Sequence, residues 1–295
     1  MKISPQQQQQ PATTPTARDR LSYQVALSSY QSRHGLDKVA WVTWLLVLGM
    51  SLLWMLTAYK AALAAGAHSW QTILTHVWTN AISIQPADDA SLTQVLIDYG
   101  AKYNPAIVQQ HEYWRFLTPM FLHANLLHLG LNMLNLLMLG IFLERLLGHT
   151  RYLFLYIITG IISVLASFYF APEEVSLGAS GAIFGLVGVF SIFVITHRRA
   201  FPFGGLFSIL YLIVIIGINL GVGFMITNVD NYAHFGGLIS GCLLGLWFSP
   251  LYRSSSPYTV VDRHSLAKRW PLALLTILGT LILTVISLYL IGTKV

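Results

Sequence analysis

The chain has 295 residues, 55% of them hydrophobic and only 9% charged, which excludes an ordinary soluble domain with its roughly 25% of charged residues. The net charge of +6 is not a nucleic-acid signature, because Lys and Arg sit in short clusters between apolar runs and no basic stripe gathers them. The single cysteine, Cys242, excludes an intrachain disulfide, and no Cys/His spacing suits a metal site.

In chain order, residues 1–36 come first, with a glutamine run from Gln6 to Gln10 punctuated by Pro5, Pro11 and Pro15. Such a segment cannot bury apolar surface and is expected to be a disordered tail. It has no apolar stretch of about 7–15 residues before a small-residue cleavage site, so the first apolar run is expected to anchor the chain directly. A span needs about 20 mostly apolar residues. Seven runs meet or approach this, at 39–63, 125–147, 151–170, 180–196, 206–226, 232–250 and 270–292. The connection 65–124 reads as a long loop holding His111, Trp114 and Arg115, with an exposed polar stretch from Pro86 to Ala90 and no separate soluble domain. No strand alternation competes, so the expected fold is an all-α integral membrane bundle.

Orientation follows from the positive charges. With the N-terminus in the cytoplasm, only Lys60, Lys102, Arg115 and Lys294 of the 17 Lys and Arg residues fall outside. The C-terminus is then external.

Ionisable and amide groups inside spans are costly and point to function. His128 and Asn132 lie four residues apart near the start of the second span, on one helical face. Ser180 opens the fourth span within Gly178-Ala179-Ser180-Gly181, and His234 lies near the start of the sixth, within Ala233-His234-Phe235-Gly236-Gly237. These three spans run in the same direction, so all four residues share one depth in the outer part of the membrane. Ala233, Gly237, Gly241 and Gly245 repeat every four residues on the sixth span, and Gly181, Gly185 and Gly188 line the fourth. Small residues at this spacing let helix backbones approach closely, as a Ser–His hydrogen bond requires. Phe184, one turn after Ser180, is placed to hold the imidazole.

A serine hydroxyl is a weak nucleophile and needs a base within hydrogen-bond reach. Histidine serves as base and then as acid near neutral pH. A tetrahedral intermediate needs preorganised donors, for which His128, Asn132 and the Ser180 backbone N–H are candidates. No carboxylate is placed to orient His234, since Asp230 reads as part of an outer loop, and a Ser180–His234 dyad is favoured over a triad. Ser163 and Ser167 on the third span are candidates to line a water-filled depression. Taken singly, each feature has a plainer reading. An intramembrane His or Asn is often a helix–helix hydrogen-bond partner, a Gly-rich stretch with a serine is usually packing, and Trp114-Arg115 can be an interfacial anchor. Their co-occurrence at one depth favours chemistry.

The set resembles the rhomboid family of intramembrane serine proteases over roughly residues 95–250. Trp114-Arg115 precedes the second span as in the family's first loop. His123-Ala124-Asn125-Leu126-Leu127-His128 followed by Asn132 resembles the His-x4-His-x3-Asn motif. Glu144-Arg145, Gly148 and Arg151 resemble the turn after that span. Gly178-Ala179-Ser180-Gly181 resembles Gly-x-Ser-Gly, and Ala233-His234 with Gly237 and Gly241 resembles Ala-His-x2-Gly-x3-Gly. The resemblance implies a six-span core over 37–250 after the cytoplasmic tail, then a linker and an additional seventh helix over 251–295. It implies hydrolysis of peptide bonds in or near transmembrane segments of membrane proteins, without metal, nucleotide or other cofactor. Ser180 would be nucleophile, His234 base, His128 and Asn132 oxyanion donors, and Phe184 the ring stacked on the base. Trp114 and Arg115 would shape the first loop at the lipid surface. From the positive-charge bias the expected setting is a bacterial plasma membrane, with a eukaryotic secretory membrane fitting the same bias, and the expected partners are lipid and substrate helices, with no nucleic acid. The main alternative is a non-catalytic binder of client transmembrane helices. A small transporter predicts polar residues spread through the membrane depth on inverted repeats, which the pattern lacks. A soluble α/β-hydrolase needs Gly-x-Ser-x-Gly after a strand.

Overall fold

The computed structural model describes residues 39–81, 90–198, 206–210, 212–214, 217, 229–256 and 259–292. The long helices fall where the apolar runs predict them. The first is α1 (Trp41–Ala64), and among the described residues four helices, at Trp41–Ala64, Leu126–Leu147, His149–Phe170 and Trp270–Gly292, are long and apolar enough to cross a membrane. The chain is an integral membrane protein of helical fold. The tail 1–36 and most of the fifth predicted span, 206–226, lie outside the described residues.

Helix α1 begins on a borrowed carboxylate. Glu144 is buried and accepts from the N–H groups of Val42 (3.0 Å) and Thr43 (2.7 Å) and from the Thr43 hydroxyl (2.7 Å). It also meets His149 Nδ1 at 2.5 Å. A carboxylate at a helix start satisfies orphan N–H donors and opposes the positive end of the dipole. Glu144→Gln replaces one acceptor by a donor facing N–H groups. It is expected to lower stability by about 1–3 kcal/mol, read as a lower thermal midpoint in detergent, with a larger drop for Glu144→Ala.

The connection read as a loop is largely helical. It contains α2 (Trp70–Ala81), α3 (Ala90–Asp98) and α4 (Asn104–Gln109), then 3₁₀ turns at Tyr113–Phe116 and Thr118–Phe121. These short amphipathic pieces escape a search for runs of 20 apolar residues. Leu92, Val95 and Leu96 of α3 pack with Ala61 of α1 and with Leu122. Among the exposed positions of α2 are Trp70, Leu74 and Trp78, one turn apart. Of the stretch Pro86 to Ala90, only Ala90 is described, and it is exposed.

The second predicted span is α5 (Leu126–Asn135), a π-helical segment at Leu136–Gly140, and α6 (Ile141–Leu147). Asn125 caps α5, its Oδ1 accepting the N–H of His128 at 2.7 Å. Gly148 at φ 81° then turns the chain directly into α7 (His149–Phe170).

Helix α8 (Ser180–Thr196) is buried without a break from Gly181 to Phe190. A helix that is apolar on all sides belongs at the centre of a bundle. Helix α9 (Asn231–Phe248) lies against it in backbone contact. A Cβ on Gly237 would stand 2.0 Å from the Gly181 carbonyl oxygen, and one on Gly241 2.0 Å from that of Gly185. On the other side, α7 inserts Ser163 and Thr159, whose hydroxyls would sit 2.1 Å from a Cβ on Gly181 and Gly185. Helices α7, α8 and α9 are therefore one close-packed layer.

The C-terminal helix α10 (Trp270–Gly292) lies on the flank of α7 and reaches α4. Leu288 and Ile291 meet Ile107, Phe116, Val164, Leu165 and Phe168. Its remaining face is exposed and apolar, as a lipid-facing helix requires. The linker before it forms a small antiparallel hairpin, β1 (Tyr252–Ser256) with β2 (Thr259–Asp262), which lies outside the expectation of an all-helical chain. The Asp262 carboxylate pairs with Arg151 at 2.8 Å, both buried, and holds the hairpin against the start of α7.

Candidate active site

The residues 171–179 carry the chain from the end of α7 to Ser180. They are pinned on two sides. Lys102 and Ser176 exchange backbone hydrogen bonds, and Gly178 N–H donates to the Pro119 carbonyl at 2.9 Å. Gly178 has φ 124°, and a Cβ there would lie 2.7 Å from His128 Nε2. Glycine is required on both counts, for the left-handed backbone and for the close approach of the imidazole. The turn thus seats the His128 ring next to the start of α8.

Ser180 occupies the first turn of α8, where backbone N–H groups have no intrahelical acceptor. Its Oγ lies 2.8 Å from His234 Nε2. His234 is buried in the first turn of α9, and its ring stacks on Phe184 with centroids 4.6 Å apart and planes 22° from parallel. The imidazole is thereby held from below by an aromatic face and pointed at the hydroxyl. Its Nδ1 is buried and has no hydrogen-bond partner among the described residues. The sequence-predicted Ser180, His234, Phe184, Gly178 and His128 come together here.

Asn132 is buried one turn beyond His128, and its amide donates to the His128 carbonyl at 3.1 Å. An amide so engaged steadies the helix until it turns toward another acceptor. Gly181, Gly237 and Gly241 stand at the backbone contacts of α8 and α9. Ser163, a candidate for the water-filled depression, instead donates to the Gly160 carbonyl at 2.8 Å and fills the space beside Gly181. Ser167 is fully buried, and its hydroxyl has no partner among the described residues.

Trp114 and Arg115 form a bracket at the end of α3. The Arg115 guanidinium lies over the Trp114 ring at 4.6 Å and binds Glu112 and the carbonyls of Ile97 and Ala101. Arg115 is buried while Trp114 is 46% exposed, so the arginine closes the end of α3 and the ring forms the outer face.

Three residues around the site take roles that the sequence reading did not assign them. Asn125 is a helix cap, legible as an Asn just before an apolar run. His123 is fully buried, edge-on to His128 with centroids 5.1 Å apart. Burial and the neighbouring His128 hold His123 well below the usual imidazole range. Asp230, read as loop, is the N-cap of α9, with Oδ1 accepting the Ala233 N–H at 2.9 Å.

The family model for the Rhomboid domain matches residues 110–251. The chain is 45% identical over 150 residues to "Rhomboid protease GluP" of Bacillus subtilis (strain 168), a match covering 50% of this chain and 28% of that protein. It is 43% identical over 142 residues to "RHOMBOID-like protein 1" of Arabidopsis thaliana, covering 48% of this chain and 36% of that protein. It is 36% identical over 138 residues to "Putative rhomboid protease YdcA" of Bacillus subtilis (strain 168), covering 46% of this chain and 68% of that protein. The chain thus spans well under half the length of the first two relatives.

Proposed function

The chain belongs to the rhomboid family, and on that premise we propose that it is an intramembrane serine endopeptidase acting on peptide bonds in or near the transmembrane segments of other membrane proteins. The observation that carries this reading is the 2.8 Å contact between Ser180 Oγ and His234 Nε2, at the starts of two helices in backbone contact.

In this mechanism the Ser180 hydroxyl donates to His234 Nε2. As Oγ attacks the scissile carbonyl carbon, the imidazole takes the proton and the carbonyl π electrons move onto oxygen. The Ser180 backbone N–H, His128 and Asn132 are the donors for that oxyanion. Such preorganised donors supply several kcal/mol in characterised acyl-transfer enzymes, about 2.7–4 for one donor. The imidazolium then protonates the leaving nitrogen, the C–N bond breaks, and an acyl-enzyme remains on Oγ. Water attacks with His234 again as base, releasing the acid and restoring the serine. Phe184 keeps the ring in plane through both proton transfers. The site needs no metal or nucleotide for these steps.

The positive-charge bias supports a cytoplasmic N-terminus and a site near the outer face. Together with the bacterial relatives, it supports residence in a bacterial plasma membrane. Substrate enters from lipid. An intact substrate helix hides its carbonyls in hydrogen bonds, so it must unwind before attack. Each Ala→Gly change beside the cleaved bond is expected to raise kcat/KM by up to roughly fivefold, the equivalent of about 1 kcal/mol of helix propensity. A panel of transmembrane substrates measures this, and a flat response would sink the unwinding step.

The reading itself is tested in liposomes with wild type and Ser180→Ala, using a fluorogenic transmembrane substrate and a fluorophosphonate probe. Cleavage and labelling in wild type, both lost in the variant, support it. Client helices bound without cleavage or labelling in either form favour the non-catalytic binder.

A further inference from the structure

The connection between α3 and α4 carries a fully buried cation, Lys102. Its ammonium donates to the carbonyls of Ala171 (2.5 Å) and Glu174 (2.7 Å). Its backbone N–H donates to the Ser176 carbonyl at 2.9 Å, and its own carbonyl accepts the Ser176 N–H at 3.2 Å. One residue thus holds the segment 171–176 through both side chain and backbone. The Gly178 N–H on Pro119 holds the rest of the turn that leads to Ser180. Two residues beyond Lys102, the buried Asn104 donates its amide to the Phe168 carbonyl at 2.9 Å, in the last turn of α7.

This clamp has a fixed base. Arg115 Nη1 donates to the carbonyl of Ala101, the residue before Lys102, at 3.0 Å, and Ala101 is fully buried. A Cβ on Gly100 would lie 2.6 Å from Thr118 Oγ1 and from the Trp114 ring, so the chain before the clamp is packed without slack. A charge is also more than a helix end requires. Carbonyls of a last turn lack intrahelical donors, and Asn104 meets one of them with a neutral amide. Burying an ammonium is costly. Here the carbonyls of Ala171 and Glu174 converge on it from the two ends of one turn, which the Glu174 N–H closes on the Ala171 carbonyl at 3.2 Å. Charge-assisted hydrogen bonds, roughly twice as strong as neutral ones, keep that turn shut.

We propose that Lys102 is a positioning residue for the nucleophile: its buried ammonium fixes the turn that presents Ser180, and with it the Ser180 hydroxyl and backbone N–H. The inference rests on the assignment of Ser180 and His234 made above. Without the ammonium the Ala171–Glu174 turn loosens, and the displacement passes along a short connection to the first turn of α8. The 2.8 Å contact with His234 and the direction of the Ser180 N–H change together, so chemistry suffers more than capture of the substrate helix. Burial lowers the ammonium to about 8, against the opposing charges of Asp230, Glu174 and Glu173. The clamp is therefore charged at neutral pH and loses its charge as pH rises through that value.

The test uses the full chain in liposomes, with Lys102→Met, which has no donor, and Lys102→Gln, which keeps two N–H donors and no charge. Fluorophosphonate labelling at Ser180 is followed to completion, giving a rate constant and a labelled fraction. The fluorogenic substrate gives kcat and KM. Lys102→Met is expected to be labelled and to turn over about 10–100-fold more slowly, with the full labelled fraction and KM nearly unchanged. Lys102→Gln is expected to fall between it and wild type. A residue that only stabilises the fold would lower the labelled fraction and leave the rate constant of the folded remainder alone. That result overturns the proposal, as does a loss confined to KM. If Lys102→Met does not fold, Lys102→Gln decides by the same readouts. If neither folds, wild type decides. Its labelling rate constant is expected to fall as pH rises through about 8, and a level rate from about pH 7 to 9, where an unperturbed imidazole is already mostly neutral, overturns the clamp. Wild type that is not labelled at Ser180 overturns the protease reading and the clamp with it. Labelled wild type with Lys102→Met at the wild-type rate overturns the clamp alone.

Discussion

Ser180→Ala, His234→Ala and the double variant are expected to lose cleavage to the same depth, roughly 10⁴–10⁶-fold below wild type. A hydroxyl without a base is almost entirely un-ionised at neutral pH, and an imidazole without the hydroxyl has nothing to activate except water. The 2.8 Å contact makes the two groups one device, so the second deletion removes what the first already disabled. Single-turnover cleavage of a transmembrane substrate, quantified by mass spectrometry, measures all three against wild type. Multiplicative losses would mean that the groups act independently and would sink the pair. Retained capture of the client helix by Ser180→Ala is expected as well, because that change removes one oxygen and no packing.

Gly237→Ala and Gly241→Ala are expected to cost as much activity as many direct changes to the site, although neither residue is proposed to touch substrate. In each case the new methyl would lie 2.0 Å from a carbonyl oxygen of α8. The obstruction is backbone, so it cannot rotate away, and α8 and α9 must separate by about 1 Å or more. Overpacking of this kind costs about 1–3 kcal/mol and sometimes more. The separation also stretches the Ser180–His234 contact, and a misplacement of about 1 Å can cost roughly 100-fold in rate. The expected result is therefore a lower thermal midpoint together with about 100-fold slower cleavage and serine labelling. Gly49→Ala and Gly279→Ala are the controls. Both lie inside long helices with nothing within 4 Å of the added methyl, and both are expected to leave cleavage unchanged. Loss of activity in the controls equal to that in Gly241→Ala would show that backbone approach is not the cause.

Much of this protein is determined by local pattern. Apolar runs long enough to cross a bilayer mark helices because lipid offers the backbone no other hydrogen-bond partner. The described spans begin and end within a few residues of where those runs do. The candidate site was legible because an intramembrane Ser, His or Asn is costly enough to be informative, and because small residues every four positions declare a face for close helix approach. His128, Ser180 and His234 are named by these signals and Phe184 by its place one turn after Ser180, and α8 and α9 meet along the glycines that the spacing singled out.

Other features depend on partners far apart in the chain, which no local pattern encodes. The connection 65–124 folds into short helices because Leu92, Val95 and Leu96 find Ala61 and Leu122, a pairing visible only once α1 is in place. Glu144 caps a helix 101 residues away from it in sequence, and Asp262 holds Arg151 across 111 residues. Ser163 reads as a polar lining residue until Gly181 is seen to need its volume. Asp230 reads as loop until its oxygen is found on the Ala233 N–H. Composition and periodicity determined that the chain is a helical membrane bundle, and the polar residues inside its spans singled out the candidates for its chemistry. The tertiary structure decided which buried charges neutralise one another, since a charge taken out of water must be paired by whatever the fold brings beside it.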